Sequence, residues 1–358
     1  MSSEVRKAHF CHAPFEKIEI LSTGDVFLCC PGWLPTAVGN LHKQTFQEIW
    51  NGPKALELRA SVTDGSFKHC SSQMCPHLQT IDSHGHLPTY SPIDTFANPR
   101  SPIPEKATSG PSDVNLAFYL TCNLSCPFCR RETIVFRPGT VEWQQAEKMT
   151  NEVITALPQI RRLKLAGNGD PFASRLYWKI LTAIDRDLHP HLRVVLHTNG
   201  ILFNADRWKE LSKAHGLIDT VEVSIDAATA ETYAMNRRGG SFETLLERLT
   251  FISKLRNENS IRRLLLSFVV QTNNFREMPA FIELGRSAKA DTIIFSRLND
   301  WGTFPPAIFA NRSVHRIEHP LHSEFRGVVS ENIFAEPDVF LGNLNEFRTA
   351  NLTSSPVL

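Results

Sequence analysis

Cys122-Asn123-Leu124-Ser125-Cys126-Pro127-Phe128-Cys129 is the stretch on which the reading of this chain turns. Its cysteines are spaced C-x3-C-x2-C on one short loop. Three thiolates so close together suit an iron–sulfur cluster better than a single metal ion. A cubane of four irons takes four cysteines. This loop offers three, so one iron is left open to bind a substrate or cofactor by its own donor atoms. The alternative is a structural zinc site, which needs four closed ligands and usually draws them from C-x2-C pairs.

The loop resembles the signature of the radical SAM superfamily, and Phe128 stands where that family has an aromatic residue that packs on the adenine. The resemblance implies a [4Fe–4S] cluster held by Cys122, Cys126 and Cys129, with its open iron bound by S-adenosylmethionine (SAM). The expected fold is α/β, a partial (β/α)6 TIM-like barrel. From Asp113 the pattern does alternate between strands and helices, as a parallel sheet with helices outside requires. Strands are expected at Val114–Leu120, Arg162–Ala166, Leu192–His197, Thr220–Ile225, Leu264–Val270 and Thr292–Ser296. Helices are expected at Val141–Ala156, Ala205–His215, Ser241–Arg256 and Glu277–Ala288. Active groups then belong at the C-terminal ends of the strands.

Those ends carry polar residues. Ala166 to Pro171 reads AGNGDP. It is similar to the family's glycine-rich motif, which implies that Gly167, Asn168, Gly169 and Asp170 bind the amino group of SAM. Asn199 lies in HTNG after the third strand. Ser224 and Asp226 stand where the family contacts SAM, and could alternatively cap a helix. Arg238, in R-G-G-x-F, stands where related enzymes place a basic residue near the SAM carboxylate, which an arginine can pair bidentately. Its alternative is a solvated surface charge. At the barrel mouth Gln271, Ser296, Arg297, Asp300 and Trp301 are the substrate-facing candidates.

Outward from the barrel, residues 1–80 hold the other cysteines: Cys11, Cys29, Cys30, Cys70 and Cys75. Lys17 to Leu21 alternates, Thr23-Gly24-Asp25 turns, and Val26 to Cys29 returns, which is a β-hairpin. TFQEIWNGPKALELRASV follows as a helix broken near Gly52-Pro53. This Cys-rich β-hairpin/helix module resembles the auxiliary-cluster modules called SPASM and, at half length, Twitch, with Gly24 to Cys29 fitting G-x4-C. In the family such a module follows the barrel; here it precedes it. The resemblance implies one auxiliary [4Fe–4S] cluster on Cys11, Cys29, Cys70 and Cys75, with Cys30 left over or replacing Cys29. A closed tetrahedral zinc site is the alternative. His9, His12, His69 and His77 lie nearby and read as surface histidines. Residues 81–112 are rich in proline and serine and read as an extended linker. The barrel is expected at 113–303, and a C-terminal extension covering it at 304–358.

The 358 residues carry a net charge of +1, so nothing predicts nucleic acid or an acidic membrane surface as partner. No apolar run is long enough to span a bilayer, and the N-terminus lacks the apolar core of a signal peptide. The chain reads as cytoplasmic, where clustered cysteines are metal ligands rather than disulfides.

The resemblance implies an enzyme that cleaves SAM reductively, with an electron from a flavodoxin or ferredoxin, and uses the 5′-deoxyadenosyl radical to abstract a hydrogen from its substrate. No segment for a peptide-binding domain is evident, so a sugar- or nucleoside-like small molecule leads and a ribosomal peptide is the alternative. Oxidation is favoured because an auxiliary cluster can accept an electron. Epimerisation with Cys30 as hydrogen donor and sulfur insertion from the auxiliary cluster stay open, as does a non-catalytic metal-binding protein. Arg297, Asp300 and Tyr119 are the candidates for the base that oxidation needs.

Overall fold

The computed structural model describes residues 10–75, 77–78, 110–165 and 169–348. Most of the linker read at 81–112, His9, and Gly167 and Asn168 of the glycine-rich motif lie outside them. The chain forms two compact units, Met1–Leu120 with Val135–Val195, and Thr121–Ile134 with Leu196–Leu358.

The first unit opens with α1 (Ala13–Glu16), β1 (Lys17–Leu21), β2 (Asp25–Phe27) and β3 (Gly39–Asn40). The expected hairpin is there: β1 and β2 are antiparallel, with Glu19 opposite Phe27 and Ile20 opposite Val26. Gly24 makes the turn at φ +80, a conformation in which a side chain is strained. Then come α2 (Phe46–Trp50) and α3 (Pro53–Thr63). The break between them follows from local chemistry. Thr45 and Glu48 form a reciprocal capping box at the start of α2. Pro53, which has no N–H to donate, takes the first position of α3. Buried Arg59 ties the three helices together. It donates to the carbonyls of Pro14 (2.8 Å) and Trp50 (2.6 Å), with its guanidinium 4.1 Å from the Trp50 ring centroid.

The hairpin is not a free-standing module. β1 pairs in parallel with β4 (Asp113–Ala117), Lys17 opposite Asp113 through Leu21 opposite Ala117. β4 pairs in parallel with β5 (Arg162–Leu165), and Arg162 meets Asp113 at 3.0 Å. The Cys-rich segment therefore extends the parallel sheet of this unit. Between β4 and β5 runs α4 (Val141–Ala156), capped by Thr140, which buries Ala146, Met149, Thr150 and Val153 on one face. After β5, α5 (Arg175–Ala183) is anchored by Tyr177, whose hydroxyl donates to the Leu116 carbonyl and accepts from the Tyr119 N–H.

β6 (Arg193–Thr198) carries the chain from the first unit into the second. The second unit continues with α6 (Ala205–Glu210), β7 (Ile218–Ser224), α7 (Ala230–Asn236), α8 (Phe242–Asn257), β8 (Arg263–Val270), α9 (Met278–Ser287) and β9 (Thr292–Arg297). β7, β8 and β9 are parallel, with Ser224 opposite Ser267 and Ser267 opposite Ile294. Every residue of β7 is buried, as both faces of a central parallel strand require. The expected βα succession, β4 to β9, is present, and the fold is the mixed α/β class of the partial barrel. After α10 (Pro306–Arg312) and α11 (His322–Val329), the C-terminal segment adds a parallel strand of its own. This is β10 (Val339–Phe340) beside β9, held by the Arg286–Asp338 ion pair at 2.8 Å.

Candidate iron–sulfur sites

The C-x3-C-x2-C loop lies in the second unit. Cys129 and Arg130 donate their N–H groups to the Cys126 carbonyl, each at 2.9 Å, which turns the loop back on itself. Cys122 and Cys126 are buried with Leu124, Phe128 and Leu298, and Cys129, Val269, Phe304 and Phe309 pack against them. In this apolar nest each sulfur meets a nitrogen donor. The Leu124 N–H (3.4 Å) and Asn199 Nδ2 (3.6 Å) face Cys122 Sγ. Arg237 Nη1 faces Cys126 Sγ at 3.8 Å, and Arg130 Nη2 faces Cys129 Sγ at 3.4 Å. Thiols need few such donors; thiolates bound to iron are stabilised by them, and donors to sulfur also tune a cluster's potential. Burial pushes the Cys126 thiol pKa up and Arg237 opposes it.

Arg237 is the residue that sequence reasoning passed over. Its guanidinium lies 5.6 Å from the Phe128 ring centroid and pairs with Asp226 at 2.6 Å. Asp226 is wholly buried and held at φ +59. That left-handed backbone persists because its surroundings over-determine it. Val269 N–H donates to its carboxylate at 2.7 Å, and the side-chain amides of Asn236 and Asn274 donate to its carbonyl, each at 3.0 Å. Arg238 is exposed instead, donating to Ser125 Oγ (3.1 Å) and the Arg131 carbonyl (2.8 Å) from outside the loop. Arg-Arg sits just past the end of α7, and only the direction in which that helix ends decides which arginine turns inward. The presence of two adjacent arginines was the available signal.

A polar row crosses the strands of this unit. His197 Nε2 lies 2.6 Å from Ser224 Oγ and 3.4 Å from Glu222 Oε1, and Ser224 Oγ lies 3.1 Å from Ser267 Oγ. The remaining expected residues are placed as follows. Asp170 is buried and caps the turn after it, accepting from Phe172 N–H at 2.9 Å, with Gly169 just before it. Tyr119 is 1% exposed and packed edge-on against Phe136 and Trp143, as a core residue. Arg297 pairs with Glu346 at 3.5 Å, and exposed Asp300 accepts from Gly302 N–H at 2.8 Å. Trp301 is exposed, whereas Gln271 is wholly buried.

The second set of cysteines lies in the first unit. Cys11, Cys29, Cys70 and Cys75 line one pocket of about 460 Å3, part of it open to solvent, together with Trp33, His77 and apolar side chains. Cys30 is not among the lining residues; its carbonyl instead accepts from the Trp33 and Leu34 N–H groups. Cys29 is buried on the bend that follows β2. Cys70 and Cys75 sit on turns closed by Cys70 N–H to Phe67 O and Cys75 N–H to Ser71 O. Burial pushes Cys11 to about 11, and Cys29 and Cys70 each to about 12. Such thiols ionise only against a strong local positive charge, which a bound cluster supplies. Among the described residues no three His, Cys, Asp or Glu side chains converge closely enough to hold a single metal ion. The four cysteines thus line one shared pocket, the residues that an auxiliary cluster would need. His12 and His69 lie beside Glu16 (4.0 Å) and Glu57 (3.2 Å), while His77 lines the pocket.

The sequence profile of the radical SAM superfamily matches residues 116–285, and that of the iron–sulfur cluster-binding domain SPASM matches residues 11–76. Residues 116–285 form a radical SAM domain. The SPASM module precedes it, and the chain's cofactors are SAM, the SAM-binding [4Fe–4S] cluster and an auxiliary cluster. The chain is 32% identical over 126 residues to the FeMo cofactor biosynthesis protein NifB of Methanocaldococcus jannaschii, covering 33% of this chain and 41% of that protein. It is 28% identical over 169 residues to NifB of Azotobacter vinelandii, covering 45% and 32%. It is 24% identical over 208 residues to the mycofactocin maturase MftC of Mycobacterium tuberculosis, covering 56% and 50%. The chain thus spans half or less of the length of these relatives. Among solved structures, it is similar to Streptococcus suis SuiB bound to precursor peptide SuiA, at 13% identity and a TM-score of 0.45, covering 74% and 52% of the two chains. Native anSMEcpe with bound AdoMet matches at 18% identity and a TM-score of 0.41, covering 60% and 57%. Among the described residues no helix is long and apolar enough to cross a membrane.

Proposed function

We propose that this radical SAM protein removes a hydrogen atom from a small-molecule, sugar- or nucleoside-like substrate and oxidises it, with the auxiliary cluster as electron acceptor. One observation carries the reading: three cysteines on one loop, each sulfur met by a nitrogen donor, and a separate pocket lined by four more. Bound SAM and its cluster supply the 5′-deoxyadenosyl radical that takes the hydrogen, once a flavodoxin or ferredoxin has supplied an electron.

The chain's own residues do the rest. Cys122, Cys126 and Cys129 hold the cluster, and Asn199, Arg130 and Arg237 stabilise its sulfurs. Phe128 offers a flat face for the adenine. Asp226 keeps Arg237 charged and aimed at Cys126. Loss of a hydrogen atom and then of one electron leaves a proton to be accepted. Arg297 and Asp300 stay proposed at the end of β9, and His197, backed by Glu222, is the imidazole that the strands add to them. Cys30 stays the proposed hydrogen donor should the outcome be epimerisation.

The test is anaerobic reconstitution with iron and sulfide counting and an assay for 5′-deoxyadenosine. Two clusters and SAM-derived 5′-deoxyadenosine are expected. Iron uptake without any SAM cleavage would overturn catalysis and leave a metal-binding protein. With the substrate in hand, turnover in deuterated water decides the outcome. Solvent deuterium at the attacked carbon with no change in oxidation level would replace oxidation by epimerisation. Sulfur in the product would replace it by insertion from the auxiliary cluster, and turnover only with a peptide would overturn the small-molecule reading.

A further inference from the structure

Gln271 is the first residue after β8, at the strand end where barrel chemistry is placed. It is wholly buried. Its side-chain carbonyl accepts from Arg312 Nη1 at 2.8 Å, yet its amide nitrogen is buried with no hydrogen-bond partner. An unpaired buried N–H group is costly, and native proteins rarely leave one without a reason.

Arg312 is half-buried at the end of α10. Its guanidinium lies 4.9 Å from the centroid of Phe304, a ring that packs against the buried Cys122, Cys126, Phe128 and Leu298. The backbone around it is fixed: Thr272 N–H donates to the Arg312 carbonyl at 3.0 Å and Thr272 Oγ1 to the Asn311 carbonyl at 2.7 Å. Most arginines of this unit meet a carboxylate, as Arg237, Arg256, Arg262, Arg276 and Arg286 do. Arg312 has Gln271 and Phe304 in place of one. Burial pulls its pKa down, and among the described residues no anion offsets it. A partly desolvated guanidinium thus lies beside a buried amide whose N–H has no partner.

We propose that Arg312 and Gln271 form an oxyanion-binding subsite that holds a carboxylate or phosphate group of the substrate beside the three-cysteine loop. An oxyanion there accepts the free Arg312 N–H groups and the Gln271 amide together, which satisfies the buried donor and pairs the charge. The substrate class of the proposed reaction is thereby narrowed to anionic molecules. The word substrate rests on that reaction; the binding of an oxyanion does not.

The test is calorimetric titration of inorganic phosphate into the anaerobically reconstituted protein, which needs no turnover. Saturable binding is expected, weakened at least tenfold in Arg312→Gln and in Gln271→Glu, and partly kept in Arg312→Lys. If Arg312→Gln fails to load iron, Arg312→Lys and Gln271→Glu carry the comparison. No saturable binding to the unmodified protein, or equal binding by the variants, overturns the proposal. SAM is titrated into the same proteins to separate the sources of the anion. A matching tenfold loss of SAM affinity assigns the subsite to the carboxylate of SAM and overturns its assignment to substrate. Absence of 5′-deoxyadenosine from the unmodified protein would sink the reaction while leaving the phosphate result to stand or fall by itself.

Discussion

Replacing Asp226 by Ala would expose how much of the cluster cradle hangs on one ion pair. Asp226 is wholly buried, and its carboxylate meets Arg237 at 2.6 Å and Val269 N–H at 2.7 Å. Arginine does not deprotonate in proteins, so removing the carboxylate leaves a charge in the core beside the neutral Cys126 thiol and the Tyr233 hydroxyl. Breaking a buried pair from one side costs about 3–5 kcal/mol. Against a total stability of about 5–15 kcal/mol, that is a large fraction. The pair itself is worth less than its breakage, because apolar replacement of both partners restores most of the loss. We therefore expect Asp226→Ala to lower the urea midpoint of the metal-free protein by the equivalent of about 3 kcal/mol or more at unchanged m. The double variant Asp226→Ala/Arg237→Met should recover at least about 1 kcal/mol of it, a coupling that a double-mutant cycle reads directly. A single-variant loss under about 1 kcal/mol, or strict additivity, would refute a desolvated ion pair and mean that water reaches Arg237.

Cys122, Cys126 and Cys129 replaced together by Ala should abolish SAM cleavage while a second cluster stays visible by electron paramagnetic resonance; loss of all iron would count against two separate sites. Cys29→Ala should lose the auxiliary cluster and Cys30→Ala should keep it, read by iron content, since only Cys29 lines the pocket. Arg237→Met should lower the reduction potential of the SAM-binding cluster, because a donor to Cys126 sulfur is lost; an unchanged potential in redox titration would remove Arg237 from the cradle. The Arg286 guanidinium holds the Asp338 carboxyl below its ordinary pKa by hydrogen bonds. The pair therefore contributes stability that is complete above the unfolded carboxylate value, about 3.9, and is lost as pH falls through the lower folded value. Asp338→Asn should flatten that acid limb of the unfolding curve, and an unaltered limb would show that the pair carries none of it.

Short-range chemistry determined much of this protein. The spacing of Cys122, Cys126 and Cys129 is enough to announce the cluster loop, because one turn can only bring neighbours together. The β1–β2 hairpin follows from alternation and Gly24, and the break between α2 and α3 from Thr45, Glu48 and Pro53. The succession of βα units follows from where strand and helix periods change. Tertiary structure decided what depends on distant partners. A two-stranded hairpin has two edges, and nothing local says that β1 will meet β4 in parallel rather than stand apart as a module. β10 is two residues long, too short for any period, and exists because β9 offers an edge and Arg286 a charge. Arg237 and Arg238 are identical in type and adjacent; the end of α7 turns one to Asp226 and Cys126 and the other to the surface. Arg312 lies far along the chain from the cysteine loop and reads as an ordinary basic residue until Thr272, Gln271 and Phe304 fix it there. A side chain's charge is written in the sequence, but whether that charge is paired, solvated or left waiting in a half-buried site is set by groups that only folding brings together.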